Sequence, residues 1–278
     1  MVKQKNKPKK EEKIMKTKLI SIALIAALLI ATLCVFVGCN EEEKETIVVG
    51  YTLYEPMNYE DANGNLVGFD TDLAKAVFED LGYNVEFKLI DWGNKYIDLN
   101  AGTIDCVWNG FTANSADDDG IQRSEKVDFS YNYMLNAQAV VVKTSSSVTD
   151  AAGLNGLKGY AEDGSAGESY MNSIAGVQPN VVTYQTDALL QLKSGACQFV
   201  VVDYQLANSI VGKGDYADCK IAYTAEDEFY AIGFKKGSDL TAKVNASLEK
   251  LAANGTIATI AATYGVEGSV ITDFSSQK

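Results

Sequence analysis

Arg123 is the sole arginine in a chain whose other basic residues are all lysines. Its guanidinium offers a planar fork of donors that matches a carboxylate, which a lysine ammonium cannot copy. A lone arginine is also an ordinary surface residue, and local sequence leaves both readings open. Asn109, Gly110 and Thr112 precede it, just after the apolar run DCVW. At a strand end, backbone N–H groups and a hydroxyl converge readily on an anion. A second cluster, Gly164-Ser165-Ala166-Gly167, falls between KGYA and a helical pattern. Such a turn either holds negative charge on its free N–H groups or simply caps the helix. Asp203 closes the apolar run FVVVD, as an N-cap or as a carboxylate projecting toward a cation. Tyr54, Tyr59, Trp92 and Trp108 offer flat apolar faces for a small ligand, although core packing accounts for any one of them. The glycine-rich turn lacks the lysine and hydroxyl of a Walker loop, and no dinucleotide fingerprint is present.

Composition narrows what such groups can do. The chain has 278 residues, a net charge of −13 and no histidine. Triads built around an imidazole are therefore excluded, and the commonest metal ligand is missing. So acidic a surface repels nucleic acid. No cofactor or metal is expected. The hydrophobic fraction of 47% against 22% charged residues describes an ordinary globular protein of one or two domains.

The charge is unevenly divided. Eight lysines within residues 1–39 face only Glu11 and Glu12, so the remainder is more acidic than the whole. Leu19 to Val37 carries no charge and ends at Gly38-Cys39, followed by the polar NEEEKE. A basic flank before an apolar run is how a secretory signal is built, and the run is also long enough to span a bilayer. FVGC at 36–39 resembles the lipobox of bacterial lipoproteins. That resemblance implies a signal peptide over 1–38, lipidation of Cys39 and an acidic tether over 39–45. Of the remaining cysteines, Cys106 reads as a buried thiol, and Cys197 and Cys219 either pair or stay free.

The elements that must position these residues alternate in type. Strand-like runs cover 47–50, 85–90, 105–108, 138–143, 180–184 and 199–203, with further strands at 220–223 and 230–234 separated by the polar TAEDE. Helical spacing of apolar residues predicts helices from Asp70 to Leu81 and from Thr186, read as a cap, to Ser194. Two more are expected at Leu240–Ala253, after the cap candidate Ser238, and at Thr256–Tyr264. This order indicates α/β layers with largely parallel sheets. Chain crossings near 140 and 225 make the middle segment a separate lobe; two sequential domains are the alternative.

The exported part resembles the amino-acid-binding branch of the extracellular solute-binding proteins, family 3. The matching segments include IVVGYTLYEPMNY at 47–59, GNLVGFDTDLAKAVFEDLGY at 64–83, DWGNKYIDLNAGTIDCVWNGFT at 91–112, RSEKVDFSYNYM at 123–134 and LKSGACQFVVVD at 192–203. The resemblance implies an α/β, two-lobed periplasmic-binding-protein-like fold, each lobe a mostly parallel sheet flanked by helices, with the ligand cleft between lobes. Residues 46–140 and 225–270 would form lobe I, 141–224 lobe II and 271–278 a flexible tail. It further implies that Arg123 meets the α-carboxylate of an amino acid, assisted by Thr112 and the Ser165 region. Asp203 and the Gly110 carbonyl would receive the α-ammonium, and Tyr54 and Trp92 would wall the side chain. Three departures stand out. SADDDGIQ lengthens the loop before Arg123, Ala166 replaces a hydroxyl residue, and Asn109 stands where smaller residues are frequent. The implied function is capture of a polar L-amino acid by a monomer anchored at the outer face of the cytoplasmic membrane, with delivery to an ABC transporter permease. A receptor-docking sensor is the second reading. An enzyme is the third, with Glu162 or Glu168 as conceivable acids but no paired catalytic motif.

Overall fold

The structure is a computed structural model that describes residues 44–117 and 119–278. The expected signal segment 1–38, Cys39 and the first part of the 39–45 tether lie outside the described residues. Within them, no helix is long and apolar enough to cross a membrane.

Strand β1 (Thr46–Tyr51) lies parallel to β4 (Asn84–Leu89) on one side and β5 (Cys106–Thr112) on the other. Every residue of β5 is buried, as a strand covered on both faces requires. Between β1 and β4 runs a hairpin of two short strands, β2 (Tyr59–Glu60) and β3 (Leu66–Val67), and then helix α1 (Phe69–Asp80). Phe69, Leu73 and Val77 recur at four-residue spacing, so α1 presents one buried face to the sheet and to the carboxyl-terminal helices. Burying each such side chain stabilises the fold by about 2 kcal/mol. The helix stops where Gly82 takes a positive φ. A short helix α2 (Lys95–Ala101) precedes β5, and a four-residue helix α3 (Arg123–Lys126) and strand β6 (Asp128–Phe129) follow it.

The second lobe repeats the pattern. β8 (Gly159–Glu162) is parallel to β9 (Pro179–Val182) and to β10 (Phe199–Asp203). Helices α4 (Ala166–Ser173), α5 (Gln185–Ser194) and α6 (Tyr204–Ile210) connect and cover them. Two long antiparallel strands, β7 (Met134–Lys143) and β11 (Cys219–Phe234), run through the middle. The sheet order is β4-β1-β5-β11-β7-β10-β8-β9, with β6 on β11. Helices α7 (Leu240–Ala253) and α8 (Thr256–Tyr264) return the chain to the first lobe, packing on α1.

Three local expectations change. TAEDE does not interrupt a strand: β11 continues through it for 16 residues, with register shifts flanking Ala222 and between Thr224 and Asp227. Pairing with β7 on both sides of these shifts, from Cys219 to Tyr230, outweighs the poor strand propensity of the acidic residues. Thr186 is not a cap, because α5 already begins at Gln185 behind Tyr184. The 271–278 segment is not a loose tail. Phe274 is buried and stacks on Tyr131 at 5.5 Å, and Gln277 exchanges two hydrogen bonds with the backbone of Asn132. Apolar burial there outweighs the entropy of a free end. Cys106, Cys197 and Cys219 are all buried free thiols.

Candidate functional site

The C-terminal ends of β5, β8 and β10 meet across the two lobes, which is where open α/β sheets leave a crevice. A small cavity lies there, lined by Trp92, Asn109, Gly110, Thr112, Arg123, Glu162, Ser165, Ala166, Gln185 and Asp203. Every expected site residue except Tyr54 is in that wall. The lobes are closed over it: Lys95 Nζ and Arg123 Nη2 both donate to the carbonyl of Gly164, at 2.9 and 3.2 Å. Ser209 Oγ donates to the Glu55 carbonyl at 3.1 Å, a second tie across the cleft.

Arg123 opens α3 and is 1% exposed. Its Nε donates to Asp117 Oδ1 at 2.8 Å and its Nη1 to the Thr112 carbonyl at 3.3 Å. The guanidinium carbon stands 5.3 Å from the centre of the Phe111 ring. Asp117 comes from the lengthened acidic loop. Among the loop's described residues none lines the cavity; Ala116 pairs with Gln122, and Asp117 supplies the arginine's own counter-ion. Lys126 and the Tyr96 hydroxyl hold the other oxygen of Asp117 at 2.8 and 2.7 Å. Burial pushes the Asp117 carboxyl up, but Arg123, Lys126 and Tyr96 together outweigh it and hold the group below the usual carboxylate range.

Gly110 explains why its neighbours sit where they do. Its φ is +57°, and a Cβ there would lie 2.0 Å from Tyr54 Oη and 2.8 Å from the Tyr230 ring. Its N–H donates to the fully buried Asp70 at 2.8 Å, and the Tyr133 hydroxyl donates to the same oxygen at 2.9 Å. With its second oxygen unpartnered, Asp70 is raised by burial to about 7. Tyr54 therefore stands behind Gly110 rather than in the cavity wall, buried among core side chains. Tyr59 packs edge-on against Tyr264, and Trp108 sits in the core between Phe78 and Tyr133. Of the aromatics considered, only Trp92 faces the cavity, braced edge-on by Phe111 at 5.2 Å. Asn109 spends its side chain on structure: its amide donates to the Thr52 carbonyl and to Asn58 Oδ1, and its oxygen accepts from Thr52 Oγ1.

Across the cleft, Ser165 caps α4 by accepting from the Glu168 N–H at 3.1 Å. Two of the N–H groups expected to be free are already used, since Gly164 donates to Glu168 and Ser165 to the Glu162 carbonyl. The first-turn amides of Ala166 and Gly167 have no carbonyl of their own helix to meet. Asp203 is the N-cap residue of α6 but makes no side-chain cap bond. Its carboxylate accepts instead from Asn136 at 3.1 Å, Gln138 at 2.6 Å and Gln185 at 2.5 Å. The Asn136 and Gln138 amides also serve Glu228 at 2.5 and 2.7 Å. Burial raises both acids, Glu228 to about 7, with the shared amide donors pulling the other way.

Sequence reasoning missed this amide cradle, and it missed Lys95. That lysine is 1% exposed, stands 4.9 Å from the centre of the Trp92 ring and donates to the Trp92 carbonyl. Burial, with Arg123 nearby, pulls it down to about 7. A signal for it existed only in its place two residues before Ile97 in DWGNKYIDL, which reads equally well as a solvated position. Among the described residues, no cluster of acids and cysteines is arranged to hold a metal ion.

The arrangement pairs one cation in the first lobe with acids in the second around a small enclosed space. Residues 47–267 match the family model for bacterial extracellular solute-binding proteins, family 3. A probable amino-acid ABC transporter-binding protein of Haemophilus influenzae is 30% identical over 220 residues, covering 78% of this chain and 83% of that protein. An arginine-binding extracellular protein of Bacillus subtilis is 26% identical, covering 78% and 84%. Among solved structures, an ancestral arginine-binding protein bound to arginine superposes with a TM-score of 0.73 at 34% identity, over 80% of this chain and 98% of that one. A substrate-binding protein of an ABC uptake transporter from Streptococcus pneumoniae, with bound histidine, gives 0.71 at 32% identity over 79% and 92%. A two-lobed α/β fold, closed on a polar cavity, and a family match spanning nearly all the described residues make this chain a solute-binding transport protein rather than an enzyme: it belongs to the bacterial extracellular solute-binding proteins, family 3.

Proposed function

We propose that this protein captures a free L-amino acid outside the cell by closing its lobes and hands it to an ABC transporter permease. One observation carries the reading: Arg123 and Asp203 face one enclosed cavity from opposite lobes. A zwitterion between them has both charges paired once water is excluded, as burial demands. In this reading Thr112, Ser165 and the Ala166 amide assist at the carboxylate, the Gly110 carbonyl assists at the ammonium, and Trp92 walls the side chain. Relatives described as binding arginine, histidine, cystine and glutamine support the ligand class. The chain acts as a monomer tethered by residues 39–45 and lipidated at Cys39; an acylated amino-terminal Cys39 in the mass spectrum of protein from its native membrane is the expected result.

Titration calorimetry of the full-length chain in mild detergent tests the capture. Arg123→Ala weakens an amino acid by about 2–5 kcal/mol, typical of leaving a buried charge unpaired, and Arg123→Lys remains costly because a point charge cannot reproduce two parallel hydrogen bonds. Removing the ligand's carboxylate costs far more in wild type than in Arg123→Ala. If the two losses simply add, Arg123 does not meet the carboxylate and the reading fails.

A further inference from the structure

Glu162 ends β8 beside β10, whose last residue is Asp203. It is 3% exposed and forms part of the cavity wall. Its Oε1 has no hydrogen-bond partner. The contrast with its neighbours is what makes this informative. Asp203 accepts from three amides, and Glu228 from two. The nearby cations are committed elsewhere: Arg123 to Asp117 and two carbonyls, Lys95 to the carbonyls of Trp92 and Gly164. A buried carboxylate oxygen left without a donor is costly unless something brings one.

The two ends of a zwitterion use Arg123 and Asp203 and leave Glu162 unanswered. With Gly110, Thr112, Ser165 and Ala166 assisting those two ends and the Asn109 side chain committed to Thr52 and Asn58, what remains of the wall is Trp92, Gln185 and Glu162. An aromatic ring and a carboxylate in the wall of one cavity suit an aliphatic stem carrying a cation. We infer that Glu162 Oε1 receives the charged side chain of the ligand, so that the captured molecule is a cationic L-amino acid with a guanidinium or ammonium group. The inference rests on the amino-acid reading above and deepens it. Burial and the neighbouring Asp203 push the Glu162 carboxyl well upward, with Lys95 and Gln185 opposing; a ligand cation adds to that opposition.

Calorimetry on the full-length chain compares each charged ligand with an uncharged counterpart of similar shape, L-arginine with L-citrulline and L-lysine with L-norleucine. In wild type at least one charged member binds at least about 30-fold more tightly than its counterpart, and Glu162→Gln brings that ratio below about fivefold. Equal affinities within both pairs in wild type overturn the inference, and so does a ratio that Glu162→Gln leaves unchanged. The wild-type comparison stands even if the variant does not fold. Should uncharged amino acids bind in preference, the capture reading survives and this one falls. If none of the twenty common amino acids binds, both fall together.

Discussion

A buried guanidinium has five N–H groups, and a ligand carboxylate can serve only two of them. Asp117, the Thr112 carbonyl and the Gly164 carbonyl take three, one from each of Nε, Nη1 and Nη2. One N–H on each terminal nitrogen is left for a ligand carboxylate. Asp117 thus holds Arg123 in place and balances its charge while leaving those two N–H groups. Gly110 is the other residue on which the site turns. A side chain at φ +57° is strained, and this one would also collide with Tyr54 Oη. Gly110→Ala should lower stability by about 2–4 kcal/mol, in the range of backbone strain combined with overpacking. An unfolding free energy from urea titration within about 0.5 kcal/mol of wild type would sink that account.

At the scale of elements, the two crossing strands do more than connect lobes. Asn136 and Gln138 on β7, with Glu228 on β11, build the cradle for Asp203 on β10, so the crossing strands and the Asp203 wall of the cavity are one structure. The start of β7 is in turn pinned by the carboxyl-terminal segment. Leu135 N–H donates to the Ser269 carbonyl at 2.7 Å and Ile271 N–H to the Tyr133 carbonyl at 2.8 Å. Phe274 supplies the apolar anchor for that segment. Phe274→Ala is expected to cost about 3 kcal/mol, the usual figure for emptying an aromatic site. Denaturant unfolding with an unchanged slope checks it, and a loss below about 1 kcal/mol would mean that the segment docks without Phe274.

For the whole molecule, the unusual number of buried acids sets the pH response. Asp70 and Glu228 are raised to about 7 in the fold, whereas an unfolded carboxyl titrates near 4. Between those values the folded chain holds protons that the unfolded chain has released. Their contribution to stability is complete below about pH 4 and lost as pH rises through about 7. Asp80, Asp98 and Asp128 are held low by hydrogen bonds to Lys250, Thr103 and Gly237 among others, so their contribution is lost instead as pH falls below about 4. The ligand-free protein should melt at a higher temperature at pH 5 than at pH 7.5, and Asp70→Asn should narrow the gap. A melting temperature that climbs from pH 5 to pH 7.5 would show that these acids ionise freely in the fold.

Chain order and periodicity were enough to determine most of the elements. Helices α7 and α8 have their expected limits, α1 and α5 lie within a residue of theirs, and the strand runs fall where alternation and β-branched residues put them. Residue type was enough to single out Arg123, Gly110, Thr112, Ser165 and Asp203, because a sole guanidinium, a turn glycine and a strand-end acid are rare and locally visible. Partnership was not visible. Asn136, Gln138, Gln185 and Glu228 read as ordinary polar residues until β7, β10 and β11 lie side by side, since a local pattern reports which face a side chain takes but not what it meets there. The same holds for Lys95 and Tyr54. Whether a lysine buries its charge or an aromatic faces a ligand depends on which backbone approaches from the other lobe, and only the tertiary structure brings Gly164 over Lys95 and sets Tyr54 behind Gly110.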